Sequence, residues 1–172
     1  MNWRFPIAAA AVLVLCGCET SSAPVPEGYD GPLAHIGDTM AKDGNGIDFF
    51  FVERVNGKRV ENSLDDTVGY NQGMGAYMRP QIIGRDVPAG TPSTFTIKGR
   101  THYSMPILEM AEKVHELAGE VSFTPQRNHR YLVVGTFGDR YSAVWIEDAQ
   151  TGGIMDHKIE TNGPATLGFF EK

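Results

Sequence analysis

Two cysteines and five histidines are the residues best able to do chemistry in this 172-residue chain. Cys16 and Cys18 stand near the N-terminus with only Gly17 between them, and no other cysteine follows. The histidines are His35, His102, His115, His129 and His157, and none lies in an H-E-x-x-H pattern. Glu109, Glu112 and His115 would share a face only if that segment were helical, and scattered ligands of this kind make a thin zinc case. Asp43-Gly44-Asn45-Gly46-Ile47-Asp48 invites a calcium reading. Setting Gly46 at the sixth position of an EF-hand loop puts Ala41 and Val52 where oxygen ligands are required, so the pattern fails. A turn entering a strand is the plainer reading, with an irregular calcium site as its alternative. No G-x-S-x-G or S-x-x-K activates a serine. Glu147 and Asp148 are adjacent, so on a strand they face opposite ways and cannot flank one bond. No glycine-rich loop opens a helix after a strand, which removes nucleotide chemistry. The expectation is a noncatalytic protein with no cofactor and no resident metal.

The cysteines make sense as an address. Met1 to Arg4 is a short positive region, and Phe5 to Leu15 is apolar. As a helix that apolar run reaches roughly 16 Å, well short of a bilayer core of about 30 Å. It has the length and flanks of a secretory signal. Leu15-Cys16-Gly17-Cys18 resembles the lipobox of bacterial lipoproteins, with an aliphatic residue at −3 and a small one at −1. Cys16 fits poorly as the modified residue, because Leu15 would then stand at −1. The resemblance implies cleavage after Gly17, lipid on Cys18 including palmitate-type acyl chains, and anchoring of residues 18 onward to a membrane. Several acyl chains anchor firmly where one does not. In that family an aspartate after the cysteine retains the protein at the inner membrane; Glu19 favours the periplasmic face of the outer membrane.

Once Cys18 is lipidated, the remaining domain has no disulfide and no thiol chemistry. The formal net charge is −6, and loss of Arg4 makes the mature chain more acidic still. That balance gives no electrostatic footprint for nucleic acid and no attraction to anionic headgroups, so the lipid must do the anchoring.

The elements that would position any site are strands. Residues 1–17 form the signal, 18–32 a Ser/Pro/Gly-rich tether, and 33–172 a single domain. Ile47 to Val55 runs into Asn56-Gly57 and then Lys58-Arg59-Val60, a strong hairpin signal. Further strands are expected at 81–87, 93–102, 131–137, 141–147, 154–160 and 166–170. Residues 106–112 read as a short helix, followed by a strand over about 114–124. Tyr141, Ala143 and Trp145 share one strand face and are expected in the core. The whole reads as an all-β protein, an antiparallel β-sandwich of about seven to nine strands.

Gly31-Pro32-Leu33-Ala34, Val55-Asn56-Gly57-Lys58, Gly119-Glu120-Val121-Ser122-Phe123-Thr124-Pro125 and Ala143-Val144-Trp145-Ile146-Glu147-Asp148 together resemble small bacterial lipoproteins with an immunoglobulin- or transthyretin-like sandwich. The resemblance spans most of residues 30–170. It implies the fold and carries no activity, since its motifs are turns and strands.

Asp65 to Arg79 lacks periodicity and mixes glycines with Tyr70, Met74, Tyr77 and Met78. Long loops are uncommon and often functional, and Tyr and Met make adaptable contact surfaces. These four residues are the candidate contact loop. The functional expectation is an envelope lipoprotein that binds or supports another envelope protein. The alternative is a small-ligand or glycan-binding module.

Overall fold

A computed structural model describes residues 20–168 and 170–172. Leu15, Gly17, Cys18 and Glu19, which carry the anchoring expectation, lie outside the described residues. In chain order the elements are β1 (Leu33–Gly37), β2 (Thr39–Asp43), β3 (Gly46–Val55), β4 (Lys58–Arg59), α1 (Ser63–Tyr70), β5 (Gly84–Pro88), β6 (Ser93–Tyr103), α2 (Pro106–Ala111), β7 (Glu116–Phe123), β8 (Arg130–Thr136), β9 (Ser142–Asp148) and β10 (Ile154–Thr161).

Ten strands among the described residues form two sheets. One runs β10-β9-β8-β1-β5; the other runs β2-β3-β6-β7, with β4 hydrogen-bonded to β3. The core is shared between them: Ile36, Val87, Tyr131, Val133, Val144 and Ile146 from the first meet Phe50, Val52, Phe95, Ile97 and Val121 from the second. This is the expected all-β sandwich, with two differences. It has one strand beyond the expected upper number, and it is not wholly antiparallel, because β1 pairs β8 in parallel, His35 opposite Arg130. That pairing puts the first strand inside its sheet, between β8 and β5.

Local chemistry explains the main elements. β6 alternates buried and half-buried residues along its whole length, the period-two signature of a strand with one face in the core. Asn56 and Gly57 both have positive φ, 50° and 78°, as the tightest hairpin turns demand. β3 is apolar on both faces over Phe49 to Val52, because the first sheet covers one face and α1 also packs against the strand. Phe50 fills the gap between sheets so closely that a Cβ on Gly135 would stand 2.4 Å from its ring. Overpacking of that kind usually destabilises by about 1–3 kcal/mol, so glycine is required there.

Three expectations change. The segment from Asp65 to Arg79 is not all loop, for α1 occupies Ser63–Tyr70. Asn62 caps it by accepting the Asp65 N–H at 3.0 Å, and its own amide donates to the Asp65 carboxylate at 2.9 Å. The expected last strand at 166–170 is reduced to one bridge, Thr166 opposite His115; Phe169 lies outside the described residues. Trp145 does not enter the core. Ser142, Val144, Ile146 and Asp148 are buried, and Trp145 lies half-buried on the opposite face. There Lys158 stands 3.9 Å from the ring centroid, a cation–π contact.

Residues 20–32 carry no helix or strand. They nevertheless touch the sandwich, since the Ser22 N–H donates to the Arg59 carbonyl at 2.9 Å. The helix at 106–112 is present as Pro106–Ala111, and the following strand is β7.

Candidate functional site

The core face of the second sheet turns polar at one end. Along β6 the inward positions are Phe95, Ile97, Gly99, Thr101 and Tyr103. Opposite them on β3 stand Val52, Phe50 and then Asp48, with Asp48 in register with Thr101. The period of two therefore delivers a carboxylate and a hydroxyl to the place where the next core pair would be. Tight chain on both sides brings in His115. Its carbonyl accepts from the Thr101 N–H, while Glu116 donates to Ala165 and Leu167 donates to Val114. The C-terminal segment thus clamps His115 just ahead of β7. Phe137, beyond β8, stacks on the imidazole at 5.2 Å between centroids.

Thr101 organises the group. Its Oγ1 lies 2.6 Å from Asp48 Oδ1 and 3.2 Å from His115 Nδ1. A carboxylate oxygen can only accept, so the single hydroxyl proton goes to Asp48. The hydroxyl oxygen also accepts the His115 backbone N–H at 3.3 Å, so Thr101 holds both the backbone and the ring of His115 in place. His115 is only 9% exposed, and among the described residues no fully buried side-chain nitrogen or oxygen lacks a hydrogen-bond partner.

Asp43 completes the cluster from across the β2–β3 hairpin. It ends β2 opposite Gly46, with Gly44 at φ 52° in the turn. One ligand atom each from Asp43, Asp48 and His115 lies within 4.8 Å of the others. Asp43 is exposed; the other two are buried. The cavity beside them measures about 470 Å³, room for several waters, and is lined by Asp43, His115, Tyr103, Glu112, Lys113 and Asp139 among others.

The electrostatics are one-sided. Burial pushes the Asp48 carboxyl above its usual range; the Thr101 hydrogen bond opposes this, Asp43 adds to it and His115 subtracts. Tyr103 is also pushed up, first by burial and then by Glu112, Asp43, Asp48 and Glu109. The structure therefore gathers carboxylates in a partly dry place, and no arginine or lysine bonds to Asp48 among the described residues.

The other histidines are each engaged singly. His35 meets Asp86 at 2.9 Å, His102 meets Glu109 at 2.8 Å, His129 meets Asp148 at 2.6 Å and His157 meets Asp156 at 3.2 Å. Glu112 and His115 do not share a helical face, because α2 ends before Glu112; they meet only as walls of the same cavity. Glu147 and Asp148 do face opposite ways, Asp148 being buried and held by His129 and the N–H groups of Gln150 and Thr151. The His129 bond, more than the backbone bonds, lowers the Asp148 pKa.

The candidate contact residues lie at the same end of the second sheet. Tyr70 ends α1, and Tyr70, Met74 and Tyr77 are exposed, Tyr77 by 82%. Tyr77 and Met78 line a groove of about 300 Å³ with Val68, His102, Tyr103 and Pro106. The loop is pinned rather than free, because the Asn71 amide donates to the Arg79 carbonyl and accepts the Arg79 N–H at 2.8 Å. On neighbouring α2, Ile107 and Met110 are also exposed. Sequence reasoning identified the loop but missed the Asp48–Thr101–His115 group. The missed signal was alternation: Asp48 stands two residues before Phe50, on the core face.

No protein-family model, curated protein or solved structure matches the chain. No helix among the described residues is long and apolar enough to cross a membrane.

Proposed function

We propose that this chain is an exported envelope lipoprotein, lipidated on Cys18, whose sandwich is a noncatalytic module for binding another envelope protein. The observation that carries the contact surface is an exposed, unusually apolar border: Tyr70, Met74 and Tyr77 beside Ile107 and Met110. Aromatic and methionine side chains of this kind are enriched where proteins meet. The anchoring half of the reading rests on Leu15-Cys16-Gly17-Cys18 followed by a Ser/Pro-rich segment that reaches β1 at Leu33. Glu19 favours the outer membrane, its periplasmic face.

Two experiments separate the halves. Labelled palmitate should enter the wild-type protein in its native host and not Cys18→Ala; equal labelling of both sinks the anchor. A photo-crosslinker at Tyr77 should trap one discrete envelope protein in native membranes, and Tyr70→Ser with Met74→Ser should weaken the adduct. An undiminished adduct would move the interface elsewhere. The groove of about 300 Å³ beside Tyr77 supports a second reading, capture of a small ligand or glycan. A bound glycan found by mass spectrometry, with no protein adduct, would favour it.

A further inference from the structure

We propose that Asp43, Asp48 and His115 form a binding site for one divalent transition-metal ion of the zinc class. The donor set is two carboxylates and one imidazole, with ligand atoms within 4.8 Å of one another. Carboxylate oxygen and imidazole nitrogen together suit zinc and its neighbours, whereas calcium takes oxygen ligands throughout. Zinc sites with three protein ligands keep a fourth position for water, and the adjoining cavity of about 470 Å³ leaves room for it.

Two further observations point to a ligand rather than to an incidental acidic cluster. The first is the enclosure of two of the three donors: Asp48 and His115 are both buried, and the His115 ring lines the cavity beside exposed Asp43. The second is Thr101. By donating to Asp48 and sharing a hydrogen bond with His115 Nδ1, it holds one carboxylate ligand and the imidazole in place together. Outer-shell partners of metal-binding histidines act in this way.

The third ligand is adaptable where the first two are fixed. Asp48 and His115 are buried, and Asp43 is exposed at the end of a hairpin whose turn is Gly44-Asn45. Bond lengths to zinc near 2.0–2.2 Å require the ligand atoms to draw together, and Asp43 is the one free to move. A dication also balances the charge of the two carboxylates that meet there.

The site goes beyond the proposed envelope-binding role and does not depend on it. Full-length protein in detergent, stripped with a chelator, is titrated by calorimetry with Zn²⁺, Mn²⁺ and Ca²⁺ in separate runs. One equivalent of Zn²⁺ should bind, and more tightly than Ca²⁺. Asp43→Asn and His115→Gln should each weaken Zn²⁺ at least about tenfold, and Thr101→Val by about 10–100-fold, as losses of outer-shell partners do. Asp43 is exposed, so Asp43→Asn should keep the metal-free Tm and remains decisive if a buried variant misfolds. The proposal is overturned by a lack of stoichiometric Zn²⁺ binding, by Ca²⁺ outcompeting Zn²⁺, or by unchanged Zn²⁺ affinity in a folded Asp43→Asn protein.

Discussion

Asp38 and Asp48 are both almost fully buried, at 3% and 5% exposure, yet their surroundings are opposite. Asp38 receives two parallel 2.7 Å bonds from the Arg85 guanidinium, together with the Ser63 N–H and hydroxyl and the Val52 N–H. Every lone-pair direction is used, and the charge is cancelled. The result joins β3, β5 and the start of α1 to the short link between β1 and β2. Asp48 has one hydroxyl donor and a second carboxylate nearby. Burying a charge is expensive unless it is paired and hydrogen-bonded. The first carboxylate is therefore part of the frame, and the second is held in a state that a cation would improve.

The largest expected effect tests the frame. Asp38→Ala strands Arg85 in the interior and should destabilise by about 3–5 kcal/mol. That lowers Tm by roughly 6–20 °C in a chain of this size, measurable by thermal denaturation. A change near zero would mean that Arg85 finds water, and that the two carboxylates differ less than their surroundings suggest.

A smaller effect of opposite sign is expected at Asp48. Its folded-state pKa lies above the usual 3.8, so between those values the folded chain holds more protons than the unfolded one. Stability then falls as pH rises through that window and stays lower above it. In metal-free protein, Asp48→Asn should remove this fall and be more stable than wild type at pH 7, with the gain shrinking towards pH 4. Denaturant titrations of both proteins across that range give the difference directly. A variant less stable than wild type at pH 7 would show that the Thr101 bond outweighs the burial of charge.

The smallest effect belongs to a carboxylate at the mouth of the same cavity. Asp139 lies 3.6 Å from Lys113, and both side chains are well exposed. Exposed pairs contribute little, so Asp139→Asn should shift stability by no more than about 0.5 kcal/mol. A larger loss in the chelator-stripped protein would extend the charge-sensitive region outward from Asp48.

The strands were legible where one face alone is buried. β6 reads as alternation, and Asn56-Gly57 marks the β3–β4 turn by residue type. Helix α2 was legible through helical spacing beginning at Pro106, and β7 through the alternation after it. Helix α1 was hidden by Thr67, Gly69 and the glycines beyond, although Asn62-Ser63-Leu64-Asp65 holds a capping signal. Asp43 to Asp48 drew a calcium reading, but the link from Asp48 to Thr101 and His115 was hidden for a different reason. Phe49, Phe50 and Phe51 mask the period of two that would place Asp48 inward, and Thr101 is 53 residues from Asp48 along the chain. Trp145 was misjudged because a large aromatic suggests a core, whereas Lys158 can cover it from outside.

The parallel pairing of β1 with β8 also governs the order in which this chain can fold. His35, Ile36 and Gly37 find their partners only at Arg130, Tyr131 and Leu132. The first strand made is therefore a central strand whose neighbour arrives among the last. Hairpins such as β3–β4 can close early, but the first sheet cannot assemble until most of the chain has been released. Long-range closure of this kind slows folding. Until β8 arrives, β1 offers an open edge to any passing strand, so a chaperone acting on this protein would have most to protect at its beginning.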